Sequence, residues 1–358
     1  MKLLFICERP YPLYRTLMRA INSKDEMDIV LVEDIDGMGI MYNELAKCGL
    51  FNNVYFFDDV YYRLFNSYIG FSKFYNIKNN SKYIKNIVWH VFVMFKKLFE
   101  YIKLQHKSKK INLPEKINLY KYDEIYINDC TSTLNFYLYN KKFKNLIHVE
   151  HAQKIMEPMT IIIILLKLLE KLHITYGLRG TCRFIKALEV SDKNNINPYV
   201  NKRKEIRIMS NEELLNNLLI KQREYIYKLY AKAYKFDFLD NLNINVYLTS
   251  NLDEIYNNKK NQNAICLSLC ENIINEFKDN VDLFIIKPHP RDLTDYSNIH
   301  ENVLIIPSCV SAEVFALNKS LKINKLICIN TSSSNAFLSV KEKRILGIEY
   351  VKKIIKDI

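Results

Sequence analysis

The sequence predicts an α/β protein with two doubly wound parallel sheets in series. Short apolar runs alternate with stretches of helical spacing, and these runs lack a polar face, which is typical of strands covered on both sides. The alternation occurs twice, before and after a polar and charged stretch at residues 197–205. The length of 358 residues also exceeds what one hydrophobic core usually supports. We therefore predict two domains, residues 1–205 and residues 206–358.

The first domain is predicted to begin with a strand at residues 2–7 and a helix at residues 14–21. Further apolar segments of strand length follow along the chain. They are residues 27–34, 122–128 and 145–152. Between the last two, the stretch TLNFYLYN is predicted to form a helical turn.

The second domain is predicted to begin with a long amphipathic helix at residues 212–234. A strand at residues 243–250, a helix at 263–277 and a strand at 282–288 come next. Three more apolar segments complete the alternation: residues 301–307, 312–318 and 325–330. Because parallel strands end at one edge of a sheet, where such folds bind ligands, the residues after these strands are candidates for function.

Charge and cysteine content narrow the class of partner. The chain has 52 Lys and Arg against 39 Asp and Glu, a net charge of +13. Drift in an Asn-, Lys-, Ile- and Tyr-rich sequence and an anionic partner both remain open as causes. Nucleic acid is disfavoured, because no zinc-finger spacing, RNP-like motif or basic tail is present. The eight cysteines contain no C-x-x-C spacing, so we predict no metal site and a reduced, cytoplasmic protein.

Three segments combine apolar and basic residues and are suited to an anionic membrane surface. They are residues 82–107, which contain the single tryptophan, Trp89, residues 155–172, and the basic C-terminal segment 341–358. No apolar run reaches the 18 residues that a spanning helix needs, and the N-terminal apolar run is too short for a signal peptide. Core packing and peripheral attachment at the inner membrane both remain open.

A histidine stands between two prolines directly after the predicted strand LFII. Pro288 and Pro290 fix their φ angles near −65° and have no N–H group, so the strand ends here and His289 is held rigidly. Lys287 and Arg291 add positive charge on both sides. The pattern favours a functional site for an anion over a structural histidine that merely ends a strand.

A run of hydroxyl groups follows another predicted strand, KLICIN. Thr331, Ser332, Ser333 and Ser334 precede a predicted helix start at Asn335. Such a turn offers backbone N–H groups, hydroxyl donors and the positive end of a helix, which together suit a phosphate. Capping alone needs one hydroxyl. A glycine-rich phosphate loop is absent, so kinase, NTPase and dinucleotide-binding classes are disfavoured.

Taken together, these motifs resemble those of the bacterial sialyltransferases of glycosyltransferase family 52, the lipooligosaccharide type, and of the related capsular polysialyltransferases. The matching features are the strand followed by K-P-H-P, the stretch with Ile306, Pro307, Ala312 and Glu313, and the strand followed by S-S-S. The N-terminal strand with its Pro-aromatic turn, ICERPYPLYRTL, is similar to how those chains open.

The resemblance implies a GT-B fold, in which two Rossmann-like domains face a cleft. The first domain would be the acceptor side, and the second would hold most of a CMP-activated sugar and end in a basic helix. It implies a catalytic role for His289 on the donor phosphate. The family's serine motif, which also binds the donor phosphate, falls on Ser332, Ser333 and Ser334. Beside these two motifs, we also predict substrate-binding roles for Lys287, Pro288, Arg291, Glu313, Thr331 and Asn335.

The implied reaction is the metal-independent transfer of sialic acid from CMP-sialic acid to a lipooligosaccharide or capsule glycan, with inversion and without a cofactor. The family's acidic motif, two acids followed by glycine, matches best at Glu150, His151 and Ala152, where only the first acid is retained. Asp253, after the predicted strand NVYLTS, is the rival candidate for the catalytic base. Two alternatives stay open: a GT-B phosphotransferase that uses a CDP-polyol, and a non-catalytic relative that binds a nucleotide sugar.

Overall fold

The computed structural model divides the chain into two compact units, Met1–Leu218 and Leu219–Ile358. The division falls further along the chain than the boundary that the sequence suggests at residue 205. The structure describes residues 1–33, 37–59, 102–114, 117–128, 132–150, 168, 170–171, 182–192, 194, 196, 204–250, 252, 262–290, 292, 294–329, 334, 337 and 340–356.

The first unit contains a parallel sheet with seven strands among the described residues. They are β1 (Lys2–Cys7), β2 (Glu26–Val32), β3 (Asn53–Phe57), β4 (Glu124–Ile127), β5 (Leu146–Val149), β6 (Ile185–Val190) and β7 (Glu205–Ile208). Their spatial order is β3-β2-β1-β4-β5-β6-β7, and every paired strand is parallel. The chain therefore reverses direction across the sheet between β1 and β4, which creates a topological switch point there.

Four helices of the first unit have defined bounds: α1 (Pro10–Ala20), α2 (Met41–Lys47), α3 (Thr133–Asn140) and α4 (Asn211–Asn216). Helix α1 begins earlier than the sequence predicts, because proline fits the first turn of a helix, where its missing N–H has no partner in any case. Ser132 caps α3 by accepting a hydrogen bond from the backbone N–H of Asn135 at 3.2 Å.

The second unit begins with α5 (Ile220–Ala233) and continues with a five-stranded parallel sheet. The remaining elements are β8 (Asn243–Leu248), α6 (Gln262–Phe277), β9 (Leu283–Lys287), β10 (Val303–Ile305), β11 (Lys322–Cys328), β12 (Glu342–Ile345) and α7 (Gly347–Lys356). The strand order is β10-β9-β8-β11-β12, with all pairs parallel. The switch point of this sheet lies between β8 and β11.

Both strand orders are those of doubly wound, Rossmann-like sheets. Two units of this kind in one chain are the components of a GT-B fold, so the predicted fold class is confirmed.

Several local predictions differ from the structure. Residues 312–318, an apolar segment whose element type the sequence leaves open, form a 3₁₀ helix at Ala312–Leu317. The helix expected at 212–234 is two helices, α4 and α5, separated where Leu219 adopts an extended conformation with φ −64° and ψ 155°. The side chain of Gln222 accepts a hydrogen bond from the Leu219 N–H at 2.8 Å, which stabilises a new helix start in place of a continuous helix.

The sequence does not predict β3, β6, β7 or β12. Strands β7 and β12 are partly exposed and carry charged residues, which interrupt the apolar pattern. Strand β3 contains the short apolar run VYFF but is also partly exposed. Strand β6 reads IKALEV, and its two charged residues interrupt the pattern. Strands with charged residues are therefore the elements that the hydrophobic pattern identifies least well.

The C-terminal segment 341–358 contains a strand and a shorter helix where the sequence suggests one basic helix. Lys343 and Arg344 lie on β12, and α7 begins at Gly347, whose φ of 73° is accessible to glycine at little cost. Val351 and Ile354 of α7 are buried in the core of the second unit with residues of α6. These two residues of the helix therefore pack within the unit, whereas Ile348 is exposed.

The other two segments suited to a membrane lie largely outside the described residues. Of residues 82–107, the part from 102 onward is helical, and Leu104 is buried in the core of the first unit. Of residues 155–172, the structure describes only 168, 170 and 171. Within the described ranges, each helix is too short or too polar to cross a lipid bilayer.

A buried ion pair connects two non-adjacent strands of the first sheet. Arg207 on β7 donates two hydrogen bonds to Glu124 at the start of β4, Nη1 to Oε2 at 2.7 Å and Nη2 to Oε1 at 2.8 Å. The Glu124 side chain is only 7% exposed. Its hydrogen bonds with Arg207 lower the pKa of the Glu124 carboxyl from 4.5 to about 2, against the opposing effect of burial.

We expect Arg207→Met to lower the free energy of unfolding by about 2 kcal/mol near neutral pH, the scale of hydrogen bonds to a charged group. A carboxyl whose pKa is depressed in the folded state contributes stability above its ordinary pKa of 4.5 and loses it as the pH falls toward 2. The difference in melting temperature between wild type and variant should therefore narrow between about pH 6 and about pH 3.

Arg344→Met is the matched control, because its pair with Glu342 is exposed and should contribute less than about 1 kcal/mol. If the difference in melting temperature between wild type and Arg207→Met stays constant over the acid range, the Arg207–Glu124 pair does not lower the pKa of Glu124 in the folded protein.

Candidate functional site

The register of the second sheet aligns the ends of its three central strands. Leu248 of β8 pairs with Lys287 of β9 on one side and with Cys328 of β11 on the other. The K-P-H-P motif and the hydroxyl-rich segment therefore leave the sheet at the same edge, one on each side of β8. Since neighbouring strands lie about 4.8 Å apart, the ends of β9 and β11 are separated by roughly 10 Å.

Lys287, the last residue of β9, is buried, with 3% of its surface exposed. Its Nζ donates hydrogen bonds to the backbone oxygens of Pro288 at 2.5 Å and Ser308 at 3.4 Å. Burial lowers the pKa of the Lys287 amine from 10.5 to about 8, against the effect of nearby groups that include Glu313. The amine therefore links the end of β9 to the segment that follows β10.

His289 is half-buried just beyond this point, and Pro288 before it is buried. The His289 backbone N–H donates to Oγ1 of Thr249 at 2.9 Å, and its carbonyl oxygen accepts from the Asp292 N–H at 2.8 Å. Thr249 directly follows β8 at the switch point. The backbone of the predicted catalytic histidine is thus held by the end of the neighbouring strand.

The carboxylate of Asp292 collects several donors in the same loop. Its Oδ2 accepts from Thr249 Oγ1 at 2.6 Å and from the Tyr296 hydroxyl at 2.7 Å, and its Oδ1 accepts from the Thr294 N–H at 3.1 Å. Burial, and then the Asp292 charge, raise the pKa of the Tyr296 phenol, so this hydroxyl stays protonated as a donor. Neither Thr249 nor Asp292 is among the site residues that the sequence predicts.

Glu313 lies on the 3₁₀ helix Ala312–Leu317, half-buried, and accepts a hydrogen bond from the Ser311 hydroxyl. Ser311 is buried beside it. The Ile306, Pro307, Ala312 and Glu313 stretch therefore belongs to the segment that leaves the carboxyl end of β10, next to the carbonyl that Lys287 contacts.

Of the hydroxyl-rich segment, the structure describes Ser334, which is buried, with 2% of its surface exposed. Its backbone oxygen accepts a hydrogen bond from Nζ of Lys343 on β12 at 2.6 Å. Five predicted substrate-binding residues lie outside the described residues: Arg291, Thr331, Ser332, Ser333 and Asn335. Their part in a phosphate site stays a prediction.

The predicted base Glu150 follows β5 in the first unit, and its side chain is almost fully buried. Its Oε2 accepts a hydrogen bond from the Ser191 N–H at 2.5 Å, and its own backbone N–H donates to the Glu189 oxygen at 2.8 Å. The carboxylate therefore connects the ends of β5 and β6. The rival candidate, Asp253, lies outside the described residues.

The structure identifies a further carboxylate at the switch point of the first unit. Glu8 follows β1, is fully buried, and accepts a hydrogen bond at Oε1 from Nδ2 of Asn135 at 2.9 Å. The available signal in the sequence is a single acidic residue directly after a buried strand, which is a weak indicator by itself.

Among the residues that the structure describes, no group of three or more His, Cys, Asp or Glu could hold a metal ion. Cys266 and Cys270, four residues apart on α6, are buried in the hydrophobic core of the second unit.

Comparison with known proteins gives similarities of fold. No protein-family model and no curated protein matches the chain. Among solved structures, it is similar to the UDP-GlcNAc 2-epimerase of Methanocaldococcus jannaschii, crystallised with UDP-GlcNAc and UDP, with 14% identity, a TM-score of 0.46 and coverage of 100% of this chain and 92% of that one.

A second similar structure is an α,α-trehalose-phosphate synthase (UDP-forming) from Burkholderia vietnamiensis, with 9% identity, a TM-score of 0.43 and coverage of 99% and 91%. Both similarities concern the fold, whose assignment here depends on the order and direction of the strands.

The buried amine of Lys287 makes the stability of the second unit depend on pH. Between about pH 8 and its ordinary pKa of 10.5, the unfolded chain binds more protons at this site than the folded one, so stability rises with pH. Lys287→Met cannot titrate. We expect the unfolding free energy of the wild type, measured with urea, to rise relative to this variant by about 2 kcal/mol from about pH 7 to about pH 9.5.

Lys322→Met, at an exposed lysine of β11 in the same sheet, should show no such relative change with pH. If the unfolding free energy of the wild type relative to Lys287→Met stays constant or falls as the pH rises, the pKa of the Lys287 amine is not lowered by burial.

Proposed function

We propose that this protein is an inverting glycosyltransferase that moves sialic acid from CMP-sialic acid to a cell-surface glycan. The observation that carries the proposal is the position of His289: it stands between two prolines at the carboxyl edge of the second sheet, beside the switch point where doubly wound sheets bind ligands. The resemblance of the surrounding motifs to those of family 52 supplies the sugar and the nucleotide.

His289 would act on the phosphate of the leaving CMP, by donating a proton or a charge-assisted hydrogen bond as negative charge develops. The hydroxyl-rich segment after β11 would bind the same phosphate from the other side of β8. The two strand ends lie roughly 10 Å apart on either side of β8, close enough for groups from both to reach one phosphate beyond the end of β8.

The transfer itself needs a second group. The acceptor hydroxyl oxygen forms a bond to the anomeric carbon as the bond from that carbon to the phosphate oxygen breaks, and the hydroxyl proton passes to a carboxylate. We assign this role to Glu150, with Asp253 as the rival. No step of this scheme uses a metal or a cofactor.

Donor specificity decides between this proposal and its two alternatives. The purified protein is incubated separately with CMP-sialic acid and with CDP-glycerol, and the release of CMP is followed. Release from the sialic acid donor supports a sialyltransferase, and release from CDP-glycerol supports a polyol phosphotransferase. Binding of CMP without release from either donor supports a non-catalytic nucleotide-sugar-binding protein.

We expect His289→Ala to lower the rate of CMP release by about 100-fold or more, the usual scale of a general acid–base contribution. The melting temperature should change little, because the side chain is only half-buried. His300→Ala, at an exposed histidine of the same unit, is the control and should keep the wild-type rate. A soluble His289→Ala protein with wild-type turnover would remove His289 from the mechanism.

For the carboxylate, we expect Glu150→Gln to lower transfer by about 100-fold or more with little change in donor affinity. The amide keeps an oxygen that can accept the bond from the Ser191 N–H, so the ends of β5 and β6 should remain connected. Asp253→Asn tests the rival base and Glu8→Gln the carboxylate at the first switch point. If either of these abolishes transfer and Glu150→Gln does not, the assignment of the base is wrong.

A further inference from the structure

The segment from residue 288 to residue 290 has only one backbone N–H donor. Pro288 and Pro290 have no N–H group, so the N–H of His289 is the single backbone donor of this tripeptide. That donor is directed at Oγ1 of Thr249, at 2.9 Å, from a residue 40 positions earlier in the chain. The Thr249 hydroxyl therefore holds the one backbone donor of this segment.

The Thr249 hydroxyl is itself fixed in direction. A hydroxyl has one hydrogen to donate and can accept through its lone pairs. Here the hydrogen goes to Oδ2 of Asp292 at 2.6 Å, a charge-assisted bond, which leaves the lone pairs for the His289 N–H. Thr249 is 4% exposed, so water has little access to replace either partner.

Two backbone hydrogen bonds close the arrangement on both sides. The Thr249 N–H donates to the Lys287 oxygen at 3.1 Å, and the Asp292 N–H donates to the His289 oxygen at 2.8 Å. The segment after β9 is thus bonded to the end of β8 at its start and folded back on itself at its end. The Thr249 hydroxyl is the contact that joins these two parts.

From this geometry we propose that Thr249 is a positioning residue for His289, holding the histidine backbone at the switch point in the place from which its imidazole acts on the donor phosphate. The second half of this statement rests on the proposed function, whereas the first half is a property of the loop alone. Displacement of a catalytic group by about 1 Å can cost on the order of 100-fold in rate, so a single hydroxyl at this place has a measurable effect.

The first experiment measures the loop without reference to activity. Protein labelled with ¹⁵N-histidine gives backbone signals from only seven residues, and His289→Gln identifies the signal of interest. We expect the exchange of the His289 amide hydrogen with solvent to be at least about tenfold faster in Thr249→Val, because a tenfold change corresponds to loss of a typical hydrogen bond. Thr249→Ser, which keeps the hydroxyl, should exchange like the wild type.

Tyr296→Phe is the matched control for this measurement. It removes the other hydroxyl that donates to Asp292 Oδ2 and leaves the Thr249 bond to His289 in place, so the His289 amide should stay protected. Thr249→Ala replaces Thr249→Val if the latter does not fold. An amide that stays equally protected in the wild type and in the Thr249 variant without a hydroxyl would overturn the proposal.

The second experiment measures catalysis with CMP-sialic acid. Thr249→Val should lower kcat by roughly 10- to 100-fold with KM for the donor changed by less than about threefold, and Thr249→Ser should restore kcat. An unchanged kcat in Thr249→Val, with wild-type turnover measurable, overturns the catalytic half of the proposal. Absence of turnover in the wild type contradicts the proposed function, and the exchange measurement still decides whether Thr249 anchors the loop.

Discussion

The parallel pairing of β8 with β9 on one side and β11 on the other determines where the candidate groups of the second unit lie. In a parallel sheet the backbone bonds are evenly spaced, and a slip of one residue would turn each side chain to the opposite face, so the pattern of buried side chains specifies the register. The row that contains Lys287, Leu248 and Cys328 is the last one before the three strands diverge. Lys287 is buried in this last row of paired residues. Thr249 follows Leu248 directly after the row, and there its hydroxyl accepts the hydrogen bond from the His289 N–H.

Most of the buried strands could be predicted from the sequence because they are largely apolar on both faces; β6, with two charged residues, is the exception among them. β1, β2, β8 and β9 are of the largely apolar kind, and their positions agree with the predicted segments. Edge strands such as β12 are different, since partial exposure allows charged residues and removes the pattern. The apolar segment at residues 312–318 forms the 3₁₀ helix Ala312–Leu317, since an apolar run of strand length is also compatible with a short buried helix.

The candidate site also contains features that the sequence predicts and features that it does not. His289 and its prolines are adjacent in the chain, so their shared rigidity follows from the sequence alone. Thr249 is a single hydroxyl after a strand, and nothing in its local sequence indicates that it bonds to residues 40 and 43 positions away. The link between Glu150 and Ser191, 41 positions apart, is equally hidden. Contacts between the ends of neighbouring strands depend on strand order, which the sequence pattern does not specify.

The last strand and helix of the second unit also protect the sheet from self-association. β12 carries Glu342, Lys343 and Arg344 along its outer position, and such charges discourage pairing with another polypeptide. Without β12 the edge of the sheet would be β11, whose last three residues, LIC, are apolar and buried. Proteins shortened at this end would expose that strand together with the face of α6 that Val351 and Ile354 cover, so we expect them to aggregate and to be cleared by proteases in the cell.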